Sequence, residues 1–590
     1  MENADAVVIG GGHHGLVAAA VLADAGWDVC LLESADVLGG AVRSAELHPG
    51  YTADLFSAFY PLSAASPVLR GLGLERHGLR WTHAPTVLAH PARPDGAPAA
   101  VLYRDRERTA AALGACDGEA WLRLCAQWDA VGDAVLRSIF TAFPPVRGPL
   151  RLLRRIGTAD ALRLARFLTL PVRRMGEELF AGEHARLLLA GNGVHADIPL
   201  DAPGSGVFGW LLAMLGQQHG FPVPEGGAGE LAGALARRAR AAGAEILTGE
   251  RVERIDVRGG RAVAVRCASG RVVRARRAVI ADVSAPALYR DLLPVDAVPA
   301  RLRADLEHFA WDTPVVKVNW AMREPIPWRN PGVAGAGTVH LGADERGLVR
   351  WAADIESRTV PATPFMLFGQ MTTADPTRSP AGTESAWAYT HLPRDVAGDE
   401  PADERGLVRW AGDIESRTVP ATPFMLLGQM TTVDATRSPA GTESAWAYTH
   451  LPRGVADDGI ADGLAERIDE VVEEFAPGFR DRVLHRMVQR PRDLQAADPN
   501  LVHGAVSGGT AQLHQQLVFR PVPGLGRSET VVDGLYLGSA SAHPGGGVHG
   551  VCGWLAARAA LADHGVLGGL RRRVTSAALE LIYRDSPSAR

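Results

Sequence analysis

The sequence predicts an α/β fold in which a discontinuous Rossmann-like domain is combined with a mixed-sheet substrate domain and a helical cap. Two observations lead to this prediction. A strand, a glycine loop and a helix open the chain over 1–25, and a second strand, glycine loop and helix follow near its end, over 533–560. Because a glycine loop that runs into a helix presents free backbone N–H groups to phosphate, both ends of the chain are expected to hold one dinucleotide.

The first glycine loop follows the apolar run 6–9, which suits a buried parallel strand. Gly10, Gly12 and Gly15 stand at the G-x-G-x-x-G spacing, directly before a helix-forming stretch. Gly10 permits the tight turn, Gly12 lets the backbone approach a pyrophosphate, and Gly15 lets the helix pack closely on the strand. The next predicted strand leads to Glu33, where an acid can accept a hydrogen bond from a ribose hydroxyl.

A second glycine pair distinguishes between the dinucleotides. Gly39 and Gly40 follow the second predicted strand and precede Arg43. NAD-binding units rarely carry this pair, whereas the amine oxidase and phytoene desaturase-like flavoproteins, which this stretch resembles, do. The resemblance implies FAD as the cofactor, with Gly39, Gly40 and Arg43 among its binding residues.

The stretch 221–282 continues the flavoprotein pattern with a helix, a strand, a hairpin and a final apolar strand. In phytoene desaturase-like proteins this order returns the chain to the FAD domain, and the residue that matches Val252 pairs its backbone with the adenine. The resemblance therefore implies a discontinuous cofactor domain. We predict an FAD-binding domain over 1–65, 221–300 and 525–590, and a substrate and cap domain over 66–220 and 301–524.

The stretch 534–550 resembles the closing cofactor motif of the same family, in which a strand delivers a glycine loop under the flavin. Side chains would block that approach, which accounts for the glycines of this loop. The helix predicted from residue 551 onward would point its N-terminus at oxygen atoms of FAD. The binding residues implied by this motif are Gly538, Ser539, Gly546, Gly547, Val548 and Gly550.

Over nearly its whole length the chain resembles the phytoene desaturase-related flavoproteins of the amine oxidase-like superfamily, and most closely the branch called pyridine nucleotide-disulfide oxidoreductase domain-containing protein 2. One departure is His14, where the family pattern has asparagine. Because the loop acts through its backbone, we expect cofactor binding to survive this change.

The resemblance implies an FAD-dependent oxidoreductase that removes a hydride from a C–H bond of a small apolar organic substrate. The electrons would pass to oxygen, a quinone or another acceptor. Two alternatives stay open: a flavin amine oxidase, which needs aromatic residues around the flavin, and a non-enzymatic FAD-bearing interaction protein. No second G-x-G-x-x-G follows a predicted strand, which disfavours direct reduction by a nicotinamide cofactor.

Three residues are candidates for catalysis. Lys317 is the only lysine, although Lys and Arg together number 61. The segment 313–329 resembles the amine oxidase segment whose lysine holds a water against flavin N5, which implies the same position for Lys317; the alternative is an ordinary surface lysine. His543 and His549 flank the second glycine loop and can assist proton transfer, because histidine titrates near neutral pH. Either histidine can instead simply hydrogen-bond the loop.

The composition is that of a large globular enzyme. A length of 590 residues exceeds what one hydrophobic core usually serves, so at least two domains are expected. A hydrophobic share of 47% with 22% charged residues argues against disorder, and a net charge of −5 gives no attraction to nucleic acid. The five cysteines form no C-x-x-C pair, which supports neither a disulfide framework nor a redox dithiol, and no metal is expected.

The chain shows no leader and no membrane-spanning segment, so we expect a cytoplasmic protein. Residues 1–5 lack a basic start and an apolar core, and charges or glycines interrupt every apolar run. The stretch 150–174 is rich in arginine and leucine. Such a basic amphipathic stretch can lie on the inner face of a membrane as a peripheral contact, or form a solvated helix face over a core. The sequence leaves the oligomeric state open.

One internal repeat is too well preserved to be a structural solenoid. Residues 343–401 and 402–460 align without gaps at a spacing of 59 residues and differ at eight pairs. Solenoids need at least three units, so this repeat indicates a recent tandem duplication or an assembly error in the gene. Each copy predicts a helix and two strands, and only one copy is expected to fill the native position. We predict that deleting one copy leaves flavin binding intact.

Overall fold

A computed structural model of the protein describes residues 2–196, 198–312, 315–341, 344, 346, 348, 366–389, 426–429, 440–449 and 458–584. The strands are β1 (Glu2–Ile9), β2 (Val29–Leu32), β3 (Ser44–His48), β4 (Tyr51–Asp54), β5 (Trp81–Thr82), β6 (Thr86–His90), β7 (Ala100–Leu102), β8 (Val223–Pro224), β9 (Glu245–Leu247), β10 (Val252–Arg258), β11 (Arg261–Cys267), β12 (Val272–Ala281), β13 (Val316–Met322), β14 (Ala336–Leu341), β15 (Met366–Gln370), β16 (Ala381–Tyr389), β17 (Leu426–Gln429), β18 (Ala440–Thr449), β19 (Val483–Gln489) and β20 (Leu535–Leu537).

The helices are α1 (His13–Asp24), α2 (Pro61–Ala65), α3 (Pro67–Gly71), α4 (Arg106–Leu113), α5 (Ala115–Ile139), α6 (Arg147–Thr169), α7 (Val172–Leu179), α8 (Glu183–Val194), α9 (Ser205–His219), α10 (Ala228–Ala241), α11 (Ala300–Glu307), α12 (Asp458–Phe475), α13 (Phe479–Arg482), α14 (Pro491–Ala497), α15 (Val551–Asp563) and α16 (Gly568–Tyr583). Short 3-10 and π turns join several of them. Among the described residues no helix combines the length and the apolar character needed to cross a membrane.

The first sheet assembles strands from distant parts of the chain. Its order is β10-β11-β12-β1-β2-β9, with β20 beside the last residues of β12. Strand β1 pairs in parallel with both β12 and β2, whereas β10, β11 and β12 run antiparallel. Because consecutive strand residues point to opposite faces, Ala6 and Val8 enter one apolar cluster and Val7 and Ile9 enter the other. The predicted Rossmann-like fold is confirmed in this sheet.

The second sheet is mixed and contains the duplicated segment. Its order is β19-β13-β18-β17-β16-β15-β14-β6-β7 over the described strands. Strands β15 and β16 come from the first copy, and β17 and β18 come from the second. The predicted helix of each copy lies, apart from residue 348, outside the described residues. A third apolar cluster joins this sheet to helices α5 to α9, which form the predicted cap.

Both copies of the repeat lie at the same place on β13. Trp320 stands opposite Ala386 of β16 and also opposite Ala445 of β18, which is the equivalent residue 59 positions later. Strand β16 runs parallel to β18 with Ser385 opposite Ser444, again an equivalent pair. The other side of β13 pairs with β19. Equivalent residues of β16 and β18 therefore pair with β13 in one register, and one edge of β13 can hold only one of these strands at a time.

Candidate active site

The first glycine loop is held by two carboxyl groups at the ends of the parallel strands that flank β1. Glu33 follows β2, and its side chain accepts hydrogen bonds from the N–H groups of Gly11 at 2.6 Å and Ala35 at 2.8 Å. Asp282 follows β12, and its Oδ2 accepts from the N–H of Gly15 at 2.7 Å. The loop is thus fixed from both sides, and helix α1 begins without a side-chain cap at Gly12.

The glycines of this loop are required by close packing. Gly10 has φ +99°, and a Cβ there would lie 2.6 Å from the backbone oxygen of Asp282. A Cβ at Gly15 would lie 2.1 Å from the backbone oxygen of Gly10. The second glycine pair joins the first loop, because the N–H of Gly39 donates to the oxygen of Gly11 at 2.9 Å. Backbone, rather than side chains, therefore forms this end of the site.

The C-terminal glycine loop is packed in the same manner. A Cβ on Gly546 would lie 2.7 Å from the backbone oxygen of Ser507, and one on Gly553 would lie 1.9 Å from that of His14. The latter contact brings α15 against the first turn of α1. Ser66 donates to the oxygen of His549 at 2.6 Å, which fixes the loop on α3. Both loops consequently meet although the sequence separates them by about 530 residues.

A cavity of about 1450 Å³ lies between the two loops and the cap. That volume exceeds the range usual for drug-sized ligands, so it has room for a dinucleotide and a substrate together. Of the sequence-predicted cofactor residues, those that line it are Gly10, Gly12, Glu33, Gly40, Arg43, Val252, Ser539, Gly546, Gly547 and Val548. Gly15, Gly39, Gly538 and Gly550 lie behind this wall in the packing of the loops.

Asp282 and Asp498 also line the cavity, and neither was predicted as a site residue. Burial raises the pKa of Asp282 to about 8, with smaller contributions from the charges of Asp498 and Glu33. Burial likewise raises the pKa of Asp498. The available signal was positional: Asp282, like Glu33, directly follows an apolar strand, where ligands of α/β sheets bind.

The Arg43 side chain reaches from the second glycine pair to the segment that carries Asp498. Its Nε donates to the oxygen of Gly40 at 2.9 Å and a terminal nitrogen donates to the oxygen of Ala497 at 2.5 Å. The guanidinium also lies 5.1 Å from the ring centre of Phe56. Arg43 therefore holds the second glycine pair in place and brings a positive charge to the part of the cavity lined by Glu33, Asp282 and Asp498.

The predicted acid–base histidines are buried and neutral. His549 Nδ1 accepts from the N–H of Val551 at 3.0 Å, which leaves the proton on Nε2, 3.3 Å from the oxygen of Gly545. Burial lowers the pKa of His549 to about 3. Burial also lowers the pKa of His543, whose Nε2 lies 3.0 Å from the oxygen of Thr141. Both histidines line the cavity, but His549 in particular stays uncharged at neutral pH.

His14 packs against His13 and lies close to His549. Its ring centre lies 3.9 Å from that of His13 and 5.2 Å from that of His549. Burial holds its pKa well below the ordinary value, with smaller contributions from His13 and His549. Ligand atoms of His14, His549 and Cys552 lie within 4.8 Å of one another. However, His549 and the Cys552 thiol already hydrogen-bond the loop backbone, so this group packs the loop rather than offering three free ligands.

Lys317 is buried on β13 and lines the cavity, so it is not an ordinary surface lysine. Its Nζ donates to the backbone oxygens of Asp54 and, at 3.2 Å, of Phe56. The Asp54 carboxylate in turn pairs with the fully buried Arg378 at 3.1 Å. The ammonium group is therefore held in one position at the wall of the cavity.

The cap contributes an almost uncharged wall. Its lining residues are Leu136, Ile139, Phe140, Leu168, His195, Ala196, Ile198, Pro203, Gly204, Val207, Phe208, Leu211 and Leu212. The one titratable side chain among them is His195, and burial lowers its pKa to about 4. Across the cavity, Phe59 and Trp387 form an aromatic pair with ring centres 5.3 Å apart.

Two glycine loops on a parallel sheet, an acid after the second strand and a large cavity toward a cap define a dinucleotide-dependent flavoprotein. The chain belongs to the family described as flavin containing amine oxidoreductase, which its residues 15–405 match. Its cofactor is FAD, and it is an FAD-dependent oxidoreductase, as the resemblance implied. The alternative of a non-enzymatic interaction protein is thereby set aside.

Two related proteins align with almost the whole chain. Pyridine nucleotide-disulfide oxidoreductase domain-containing protein 2 of Rattus norvegicus is 27% identical over 605 residues, covering 95% of this chain and 93% of its own. A limonene dehydrogenase chain of Castellaniella defragrans is 22% identical over 584 residues, covering 96% of both. The crystal structure of an oxidoreductase from Methanosarcina mazei has the same fold, with a TM-score of 0.55 and 16% identity over 94% of this chain and 99% of that one.

The residues present fit FAD. Glycines of both loops line the cavity, and a Cβ at Gly10, Gly12 or Gly15 would meet another atom at under 3 Å. Apart from the N–H of Gly15, which donates to Asp282, the first turn of α1 offers N–H groups and the positive end of a helix dipole, which suit a pyrophosphate.

Proposed function

We propose that the enzyme removes a hydride from a C–H bond of a neutral, apolar organic substrate held in the cap half of the cavity. The observation that carries this proposal is the cap wall, which has no acidic and no permanently basic side chain among the lining residues that the structure describes. A charged substrate would lose its hydration there without gaining a partner, whereas an apolar one gains from burial. The name of one relative, limonene dehydrogenase, fits a hydrocarbon substrate.

FAD would be held by residues from both ends of the chain. They are Gly10, Gly12, Gly15, Glu33, Gly39, Gly40, Arg43, Val252, Gly538, Ser539, Gly546, Gly547, Val548 and Gly550, to which we add Asp282. At neutral pH Asp282 is largely protonated, because its pKa is raised to about 8. A neutral acid beside the start of α1 does not repel a pyrophosphate.

Catalysis depends on both the cofactor and the residues that line the cavity. When bound, FAD supplies the two-electron oxidation of the substrate. The cap excludes water and orients the apolar substrate. Lys317 holds a positive charge at the cavity, fixed by two backbone carbonyls, where it can position a water molecule and favour transfer of electrons to oxygen. His543 and His549, both uncharged, would donate hydrogen bonds rather than shuttle protons.

Amine oxidation is the second candidate function, and the Phe59 and Trp387 pair favours it. Two aromatic faces in one wall can receive a neutral amine, or stabilise a cation through their π electrons. Lys317 lines the cavity, which supports the role beside the flavin that the amine oxidase resemblance implies.

Anaerobic reduction of the bound flavin separates the two functions. We expect a neutral polyene or monoterpene, supplied in detergent micelles, to bleach the oxidised flavin absorbance, while a primary amine leaves it unchanged. The variant Leu211→Glu, which places a charge in the cap wall, should slow the reaction with the hydrocarbon and leave the flavin content unaltered. Reduction by the amine alone would overturn the proposal in favour of amine oxidation.

A further inference from the structure

Two segments of the chain carry most of the exposed large apolar side chains. Of the sixteen such residues in the described part of the chain, ten lie within 146–162 and 566–582. Single exposed apolar residues are normal on a protein surface, but a contiguous patch marks an interaction site.

Helix α16 has two apolar faces. Gly568, Leu579 and Tyr583 are buried against the body of the protein. Leu570 and Leu581, exposed at 64% and 75%, stand on the opposite side with Leu567 and Val574. Their spacing of three, four and seven residues places them in one stripe along the helix. This stripe is not needed for the core, because the buried face already docks the helix.

Helix α6 repeats this arrangement. Leu152 and Ile156 pack against the cap core, whereas Leu150 and Leu153 are exposed. Val146, exposed at 63%, directly precedes the helix on the same side, four residues before Leu150. The helix bends at Gly157, which has φ +77°. Its last turn reaches the substrate cavity through Leu168.

The two helices border one cleft of about 1150 Å³. Its lining includes Leu152 and Arg155 of α6 and Arg571 of α16. A polar chain also connects the two helices. Arg527 donates to the oxygen of Phe143, just before α6, and pairs with Glu529, which binds Arg571. Helices α6 and α16 therefore flank the same cleft, and their exposed stripes are referred to together below as the α6–α16 surface.

The charge at the α6–α16 surface is positive. Arg154 and Arg573 are exposed on α6 and α16, and Arg155 and Arg558 line the cleft between these helices. None of the four has a carboxylate partner within 4 Å in the described residues. Asp160, the one acid of α6, is already paired with Arg163. Exposed leucines interspersed with unpaired arginines form the pattern of a surface that inserts shallowly into a bilayer and binds phosphate head groups.

The geometry points to the α6–α16 surface as a docking site for an anionic phospholipid bilayer. Leucines of both helices would enter the interface between head groups and acyl chains, and the free arginines would contact lipid phosphates. Because α6 also lines the substrate cavity, docking would bring a lipid-soluble substrate to the cap side of the active site. Delivery of the substrate from the bilayer rests on the proposed function, whereas bilayer binding does not.

Co-sedimentation of the flavin-loaded, full-length enzyme with large vesicles tests the inference. We expect binding to vesicles of phosphatidylcholine mixed with phosphatidylglycerol to be about tenfold or more tighter than binding to phosphatidylcholine alone, and to weaken with salt. The variants Leu570→Asp/Val574→Asp and Arg154→Glu/Arg155→Glu should each reduce it by about tenfold or more. Val295→Asp, at an exposed apolar residue elsewhere, should bind like the wild type.

Three outcomes would overturn the docking site. They are equal binding to neutral and anionic vesicles, wild-type binding by both variants, and a dimer in sedimentation velocity that Leu570→Asp/Val574→Asp dissociates. The last result would identify a second copy of the chain as the partner. Retained flavin absorbance shows that each variant is folded. Vesicle binding requires no substrate, so its failure would leave the proposed reaction standing, and a failed substrate screen would leave the docking site standing.

Discussion

Asp282 Oδ2 accepts a hydrogen bond from the N–H of Gly15 at 2.7 Å, although 267 residues separate them in the sequence. The contact ties the end of β12 to the first turn of α1. A carboxyl group is thereby placed at the positive end of a helix, where the cofactor phosphates are also expected. Since burial raises the pKa of Asp282 to about 8, the group is mostly uncharged at neutral pH and leaves the helix end available to an anion.

Asp282→Asn should flatten the pH dependence of stability. The folded pKa of about 8 lies above the ordinary unfolded value of about 3.9, so the folded state holds this proton more tightly. The stabilisation is complete below the unfolded pKa and is lost as the pH rises through the folded pKa, by at most about 1.4 kcal/mol per pH unit. Asparagine keeps the acceptor but cannot titrate.

The measurement is the free energy of unfolding of the flavin-free protein between pH 5 and pH 8. The wild type should lose more stability than Asp282→Asn over this range. Asp296→Asn, at an exposed carboxyl, is the matched control and should follow the wild type. Parallel curves for all three proteins would show that Asp282 does not titrate in this way.

The contrast between Glu33 and Asp282 shows what could be predicted from the sequence. Glu33 stands at a fixed short distance from its glycine loop, so local spacing was enough to identify it. Asp282 has the same relation to the loop in space, but β12 reaches β1 only through sheet pairing across the chain, and no spacing rule covers that distance. The fold class was predicted correctly because the glycine loops act through local backbone geometry, and FAD because the second glycine pair resembles that of known flavoproteins.

The cap wall could not be predicted for a related reason. Leu168, Phe208 and Leu211 have the same residue types as the surrounding core, and only tertiary packing decides which apolar side chains face a cavity. His549 shows a different limit. Its residue type indicated proton transfer, but burial and the N–H of Val551 fix it as an uncharged side chain. Burial of a titratable group is not visible in a sequence.

Gly15→Ala should abolish flavin binding. The new Cβ would lie 2.1 Å from the backbone oxygen of Gly10, which cannot move without opening the loop. We expect flavin absorbance per mole of protein to fall by about tenfold or more, with a loss of about 1–3 kcal/mol in stability. Gly71→Ala is the control, because a Cβ there meets nothing within 4 Å. A flavin-loaded Gly15→Ala protein would mean that the loop has another conformation.

Lys317→Met should separate cofactor binding from turnover. The substitution keeps an apolar stem but leaves the backbone oxygens of Asp54 and Phe56 without their ammonium donor. We expect flavin to remain bound, stability to fall by about 1–3 kcal/mol, and reoxidation of the reduced flavin by oxygen to slow by about a hundredfold. Stopped-flow absorbance measures this rate. Lys317→Arg, which keeps the charge, should recover part of it; equal rates in all three proteins would reduce Lys317 to a structural role.

The buried Arg378 allows a direct test of whether one copy of the duplicated segment can replace the other. Arg378 pairs with Asp54 at 3.1 Å and with Asp375 at 2.7 Å, and its guanidinium donates to the oxygen of Pro224 at 2.7 Å. Arg437 is the equivalent residue of the second copy. Since β16 and β18 pair with β13 in one register, we expect the second copy to be able to supply its equivalent arginine in place of Arg378. Removing either 343–401 or 402–460 should therefore leave flavin absorbance unchanged.

The exchange of copies predicts a specific pattern among arginine variants. In the full-length chain, Arg378→Ala should be tolerated, because the second copy can take the slot with Arg437. In the chain that lacks 402–460, the same substitution leaves Asp54 and Asp375 buried without their cation and should cost about 3–5 kcal/mol. Thermal unfolding of the flavin-loaded proteins measures the difference, and Arg378→Ala/Arg437→Ala in the full-length chain should match the shortened variant. An equal loss from Arg378→Ala in both backgrounds would assign the slot to the first copy alone, because no replacement would then be available.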